Sequence, residues 1–181
     1  MRLPAWKRNR ALGMTLAEMM VALAVSALVL TVVAKLTLFT ARSFVALGNY
    51  NDLDKSSIFA VDSMTRDIRQ ALSVSFFSTN RLDILNADGS TFSYQWSQNF
   101  GTLTRLRIVG ATKVKKQLLA QCDYLNFAVY QRNPTNNFDF VATTNLNQIK
   151  LVDVNWRCSR PVLQQKVNTE TVQTARIVLR N

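Results

Sequence analysis

Histidine is absent from the 181 residues, which removes the side chain most used as general base and metal ligand near neutral pH. Cysteine is nearly absent: Cys122 and Cys158 alone cannot complete a Cys/His zinc site, so no metal and no cofactor is expected. The five glycines form no phosphate-binding loop, and no Ser, Thr or Asp stands at a recognisable spacing from a base. The expectation is a protein that is not an enzyme. Acids are scarce too, 11 against 22 Lys+Arg, giving +11 with only 18% of residues charged. The 48% hydrophobic content is that of a globular chain, which excludes both disorder and several membrane spans.

The residues that are present are unevenly placed. Residues 1–13 carry Arg2, Lys7, Arg8 and Arg10 and no acid. Residues 14–34 are apolar except for Glu18 and the small polar Thr15, Ser26 and Thr31. As a helix this stretch is ~31 Å long, enough to cross a hydrocarbon core of about 30 Å. The positive leader keeps the N-terminus in the cytoplasm and sends the chain beyond Lys35 outward. A secretory signal peptide also begins basic and turns apolar. Against it stand the length of the uncharged run from Met19 to Ala34, the carboxylate near its start and helix-compatible sequence beyond it.

The spacing predicts that the helix continues to about Leu72. Phe44, Leu47, Tyr50, Ile58, Val61, Met64, Ile68 and Leu72 recur at three- and four-residue steps, with an irregularity near Leu53. Residues 48–52, Gly-Asn-Tyr-Asn-Asp, are poor helix formers where the rod would kink or melt. Unbroken, residues 14–72 would span ~88 Å.

Beyond Ser73 the period changes to two. Leu82 to Leu85 and Thr91 to Trp96 flank Asp88-Gly89 and read as a hairpin. Thr102 to Val109, Tyr124 to Gln131, Ile149 to Arg157 and Thr174 to Arg180 alternate as strands. Leu125, Phe127, Val129, Val152, Val154, Trp156, Ala175, Ile177 and Leu179 supply their apolar faces. Residues 133–137 and 159–169 read as loops. The fold class is α+β, one long N-terminal helix packed on a C-terminal antiparallel β-sheet. The expected divisions are a leader at 1–13, a transmembrane helix at 14–34, an amphipathic continuation at 35–72 and a β domain at 73–181.

Gly13-Met14-Thr15-Leu16-Ala17-Glu18, after a basic leader and before an apolar helix, resembles the processing site of type IV prepilins and type II secretion pseudopilins. The resemblance implies cleavage between Gly13 and Met14 by a prepilin peptidase and N-methylation of Met14, which stands where the family more often has Phe. It implies that Glu18 neutralises the amino terminus of a neighbouring subunit during assembly. A carboxylate inside a span is costly and needs a partner, which gives that role a physical basis. Met64-Thr65-Arg66-Asp67-Ile68-Arg69-Gln70-Ala71 and later segments such as Phe92-Ser93-Tyr94-Gln95-Trp96 resemble J-type minor pseudopilins and W-type minor pilins. The implied partners are the peptidase, other minor and major pilins or pseudopilins and an inner-membrane assembly platform. The implied place is the bacterial inner membrane, with the C-terminal domain periplasmic and able to leave into a filament near its tip.

Two further signals carry alternatives. The chain after Ser73 holds a surplus of cations, densest at Lys113, Lys115 and Lys116, with Trp96, Tyr94 and Tyr124 as candidate stacking groups. This suits either a DNA-binding minor pilin of a competence system or a basic surface matching an acidic subunit, and the lack of fixed interleaving favours the latter. Cys122 and Cys158 are either a disulfide, worth roughly 4 kcal/mol on a chain-entropy account, or two small core residues. The single Arg66-Asp67 pair reads as solvated charge on a helix surface.

Overall fold

The computed structural model describes residues 14–136, 139–162 and 170–180. One helix, α1 (Leu16–Arg69), precedes nine strands: β1 (Ala71–Ser78), β2 (Arg81–Asn86), β3 (Thr91–Ser97), β4 (Thr102–Val109), β5 (Thr112–Leu119), β6 (Cys122–Arg132), β7 (Phe140–Ala142), β8 (Leu151–Ser159) and β9 (Glu170–Val178). The α+β class is as the sequence predicts. Two compact units divide between Ser43 and Phe44, and α1 belongs to both.

In the first unit every described side chain before Ser43 is exposed. In the second, Leu53, Ser57, Ala60, Met64 and Ile68 are buried at steps of three and four, one stripe of the helix. This corrects the predicted face. Met64 and Ile68 belong to it, whereas Phe44, Leu47, Tyr50 and Ile58 are exposed. At 100° per residue, Phe44 lies roughly opposite the Leu53 stripe and Leu47 and Ile58 lie on the flank of the helix beside it; the irregularity at Leu53 marks the point where the core-facing stripe takes over. The poor helix formers at 48–52 remain helical, with Asp52 bonded to Arg160 at 3.3 Å and Leu53 buried immediately after. The helix ends at Arg69, short of the expected Leu72, and the strand region begins before the boundary set at 73. Ala71 pairs with Asn86 and, with Val74, points into the core, while Leu72 faces solvent.

The β region is two antiparallel sheets where one was expected. β1 to β5 form a meander in chain order; β6 leaves it, pairing with β7 and β8, and β8 pairs with β9. The break falls at Gln121, whose φ of 56° turns the chain out of the first sheet. The Asp88-Gly89 hairpin is present as predicted. Gly89 has φ 77°, and the Asp88 carboxylate accepts from the Ser90 backbone at 2.8 Å and from its hydroxyl at 2.6 Å. β6, β8 and β9, with Leu179 just past the end of β9, bury the apolar sets read from their alternation. β8 runs on to Ser159, into the segment expected to be loop, while 163–169 and Asn137 lie outside the described residues. β1, β5 and the short β7 are additional to the expected strands. β5 is Lys-rich, a composition depleted in strands, and it sits at a sheet edge, where lysines discourage pairing with another chain.

Both sheets meet α1. The Trp156 indole N–H donates to Ser57 Oγ at 3.3 Å from the second sheet, and Tyr94 of the first reaches Asp67.

Candidate functional site

The start of α1 is organised by two residues three apart in the chain. Thr15 and Glu18 form a reciprocal cap. The Thr15 backbone N–H donates to Glu18 Oε2 at 2.8 Å, its hydroxyl to the same oxygen at 3.0 Å, and the Glu18 N–H donates back to Thr15 Oγ1 at 3.3 Å. The acid also sits in the first turn, where the helix dipole favours negative charge. Thr15-x-x-Glu18 has the capping-box spacing, a signal that the sequence carries but that hydrophobic periodicity does not reveal. Gly13 lies outside the described residues. Met14 is exposed, one residue before the cap.

Within residues 14–34 the remaining polar side chains are satisfied by the helix itself. Ser26 and Thr31 donate to the carbonyls of Ala22 and Ala27 at 2.7 and 2.8 Å. Such a helix presents hydrocarbon with no unmet hydroxyl, the condition for lying in lipid. It is long and apolar enough to cross a membrane and is compatible with a membrane anchor.

The Arg66-Asp67 pair divides. Arg66 is solvated as expected, bonded to Asp62 at 2.5 Å one turn back. Asp67 is buried and joins helix to sheet, which corrects the solvated reading. It accepts from the Tyr94 hydroxyl and from Arg105 Nε and Nη2, the latter two at 2.6 and 2.9 Å. Burial and the adjacent Asp67 charge push the Tyr94 hydroxyl above its ordinary value. Burial alone would lower Arg105, but its bond to Asp67 outweighs that and holds the guanidinium charged. The alternation of β4 holds the clue, since Arg105 shares a face with the core residue Leu103.

The stacking set comes apart. Tyr94 is fully buried in this joint; Trp96 is half-buried and donates to the Cys122 carbonyl at 3.3 Å; only Tyr124 of the three is exposed. Lys113 and Lys115 are exposed on β5, while the Lys116 ammonium lies 4.1 Å from the centroid of the Phe59 ring.

The structure brings Cys122 and Cys158 together as opposed residues on β6 and β8, both buried with their thiols free. Cys158 is held up, first by its partner and then by burial, while its hydrogen bond lowers Cys122. The surrounding backbone is close-packed. Cys122 N–H donates to Gly101 O at 2.7 Å, and Gly101 has φ 56°, a conformation that favours glycine, with little space beside it: a Cβ there would lie 3.3 Å from the Cys122 carbonyl.

Residues 8–34 match the family described as the prokaryotic N-terminal methylation motif. The match covers the basic leader's end, Gly13 to Glu18 and the apolar stretch. It supports the type IV pilin and pseudopilin class, whose members are structural, and it marks a prepilin peptidase cleavage site, implying processing and pilin-type partners. No curated protein matches the chain.

Proposed function

We propose that this chain is a minor pilin or pseudopilin, made as a single-span precursor with its N-terminus cytoplasmic. Prepilin peptidase cuts between Gly13 and Met14, and Met14 is N-methylated. Glu18 then guides the subunit into a type IV pilus or type II secretion pseudopilus, at or near its tip. The observation that carries this is the methylation motif running into a fully exposed apolar stretch, residues 14–34, whose one carboxylate is already seated at the helix start. The Thr15 cap uses Oε2 for both of its donated bonds, so the carboxylate is oriented before a neighbouring amino terminus arrives. The rest of the chemistry is assembly: residues 44–180 supply a stable domain carried by the anchor. Cys122 and Cys158 form a disulfide between β6 and β8 once the domain is in an oxidising compartment.

The test is recovery in sheared filament fractions from cells expressing the other subunits. The native chain enters the fraction, whereas Glu18→Ala is inserted and cut but is recovered poorly. Equal recovery of the two would remove Glu18 from assembly.

A further inference from the structure

The last turns of α1 and the chain after β9 form an open cleft of about 310 Å³, lined by Asp62, Thr65, Arg66, Arg69, Gln70 and Arg180. Arg66 and Arg69 are accounted for in part by position, since cations favour a helix C-terminus. Arg180 is not. It comes from the far end of the chain, at the end of the second sheet, and brings a third guanidinium to the same cleft. Against these three, the described residues place one carboxylate in the lining, Asp62, already engaged by Arg66. The cleft is therefore surplus in positive charge, with Thr65 and Gln70 as neutral hydrogen-bonding groups beside it.

We propose that this cleft receives the carboxylates of an acidic segment on a protein partner. Guanidinium forks match carboxylates with two parallel bonds. The cleft is open and its arginines exposed, so it strips little water from a small free anion and holds one weakly; a segment presenting several carboxylates engages Arg69 and Arg180 together. A second copy of this chain is disfavoured because each copy stays strongly basic even after the four cations of residues 1–13 are cut away. Among the described residues no aromatic side chain lines the cleft for bases to stack upon, which weighs against single-stranded nucleic acid. The proposal stands apart from the assembly reading: cleavage at Gly13 does not depend on the cleft.

The experiment uses the full chain in detergent and a fluorescein-labelled hexaglutamate peptide as probe, monitored by anisotropy at low and near-physiological salt. Arg69→Gln with Arg180→Gln should weaken binding about tenfold. Lys113→Gln with Lys115→Gln, which removes the same charge elsewhere, should leave it unchanged. Circular dichroism checks that both exposed pairs leave the fold intact. An equal loss in the two variants, or none in the first, would overturn the proposal. So would displacement of the peptide by inorganic phosphate below millimolar concentration, which would make the cleft a small-anion site. Tighter binding of a single-stranded oligonucleotide that is lost on changing Arg69 and Arg180 would overturn it in favour of nucleic acid.

Discussion

Residues 14–43 and residues 44–180 solve the same problem, how to satisfy polar groups, in opposite ways. In the first, hydroxyls turn back onto their own helix and Glu18 onto Thr15, so every bond is local in sequence. In the second, Asp67 meets Tyr94 and Arg105 across 27 and 38 residues, and Trp156 meets Ser57 across 99. Local satisfaction leaves a segment whose surroundings can change from lipid to protein without loss of its hydrogen bonds. Long-range satisfaction fixes a domain that cannot rearrange. That difference suits the proposed subunit, whose N-terminal helix would exchange lipid for protein while its domain stays folded.

The largest expected effect lies at the edge of the local region. Gly13→Leu should abolish processing and leave the full-length precursor in the membrane, read by size on a gel; a chain still beginning at Met14 would move the cleavage site elsewhere. Next is the disulfide. Reducing the oxidised protein, or Cys122→Ser with Cys158→Ser, should lower domain stability by roughly 4 kcal/mol, measured by urea unfolding with thiol labelling to count free cysteines. Labelling of both thiols without a reductant would return the pair to the core. Asp67→Ala removes the partner of a part-buried guanidinium and should cost about 2–3 kcal/mol, discounted from a fully buried pair because Arg105 retains some exposure. Ser57→Ala orphans the Trp156 indole and should cost about 1–2 kcal/mol. Smallest is Thr31→Ala in the anchor, expected within about 0.5 kcal/mol because its hydroxyl serves only its own helix. If Thr31→Ala proved as damaging as Asp67→Ala in thermal unfolding, the contrast between the regions would fail.

Legibility in the sequence divides along the same line. The apolar N-terminal helix, the Asp88-Gly89 turn and the alternating strands β6, β8 and β9 rest on local pattern and are readable. The core-facing stripe of α1 is not, because Phe44, Leu47 and Ile58 have helical spacing without burial; spacing identifies a stripe, and only the partner surface decides which stripe is covered. β5 is hidden by its lysines, since edge position rather than propensity makes it a strand. Asp67 looks like half of a solvated pair because its true partners lie on β3 and β4. The opposition of Cys122 and Cys158 depends on the register of β6 against β8, which periodicity alone does not set. The reciprocal Thr15 and Glu18 cap is the exception on the local side: its spacing is legible in the sequence, yet it is a capping signal and not a periodic one.

Whether the chain is a processed pilin-class subunit is decided most directly by the mass and fragmentation of its mature N-terminus, taken from cells that contain a prepilin peptidase. The expected product begins at Met14 with one methyl group on its amino nitrogen, and uncut precursor accumulates only when the peptidase is absent. A mature chain that begins after residue 34, as signal-peptide removal would produce, or one that keeps residues 1–13 in the presence of the peptidase, would contradict that assignment.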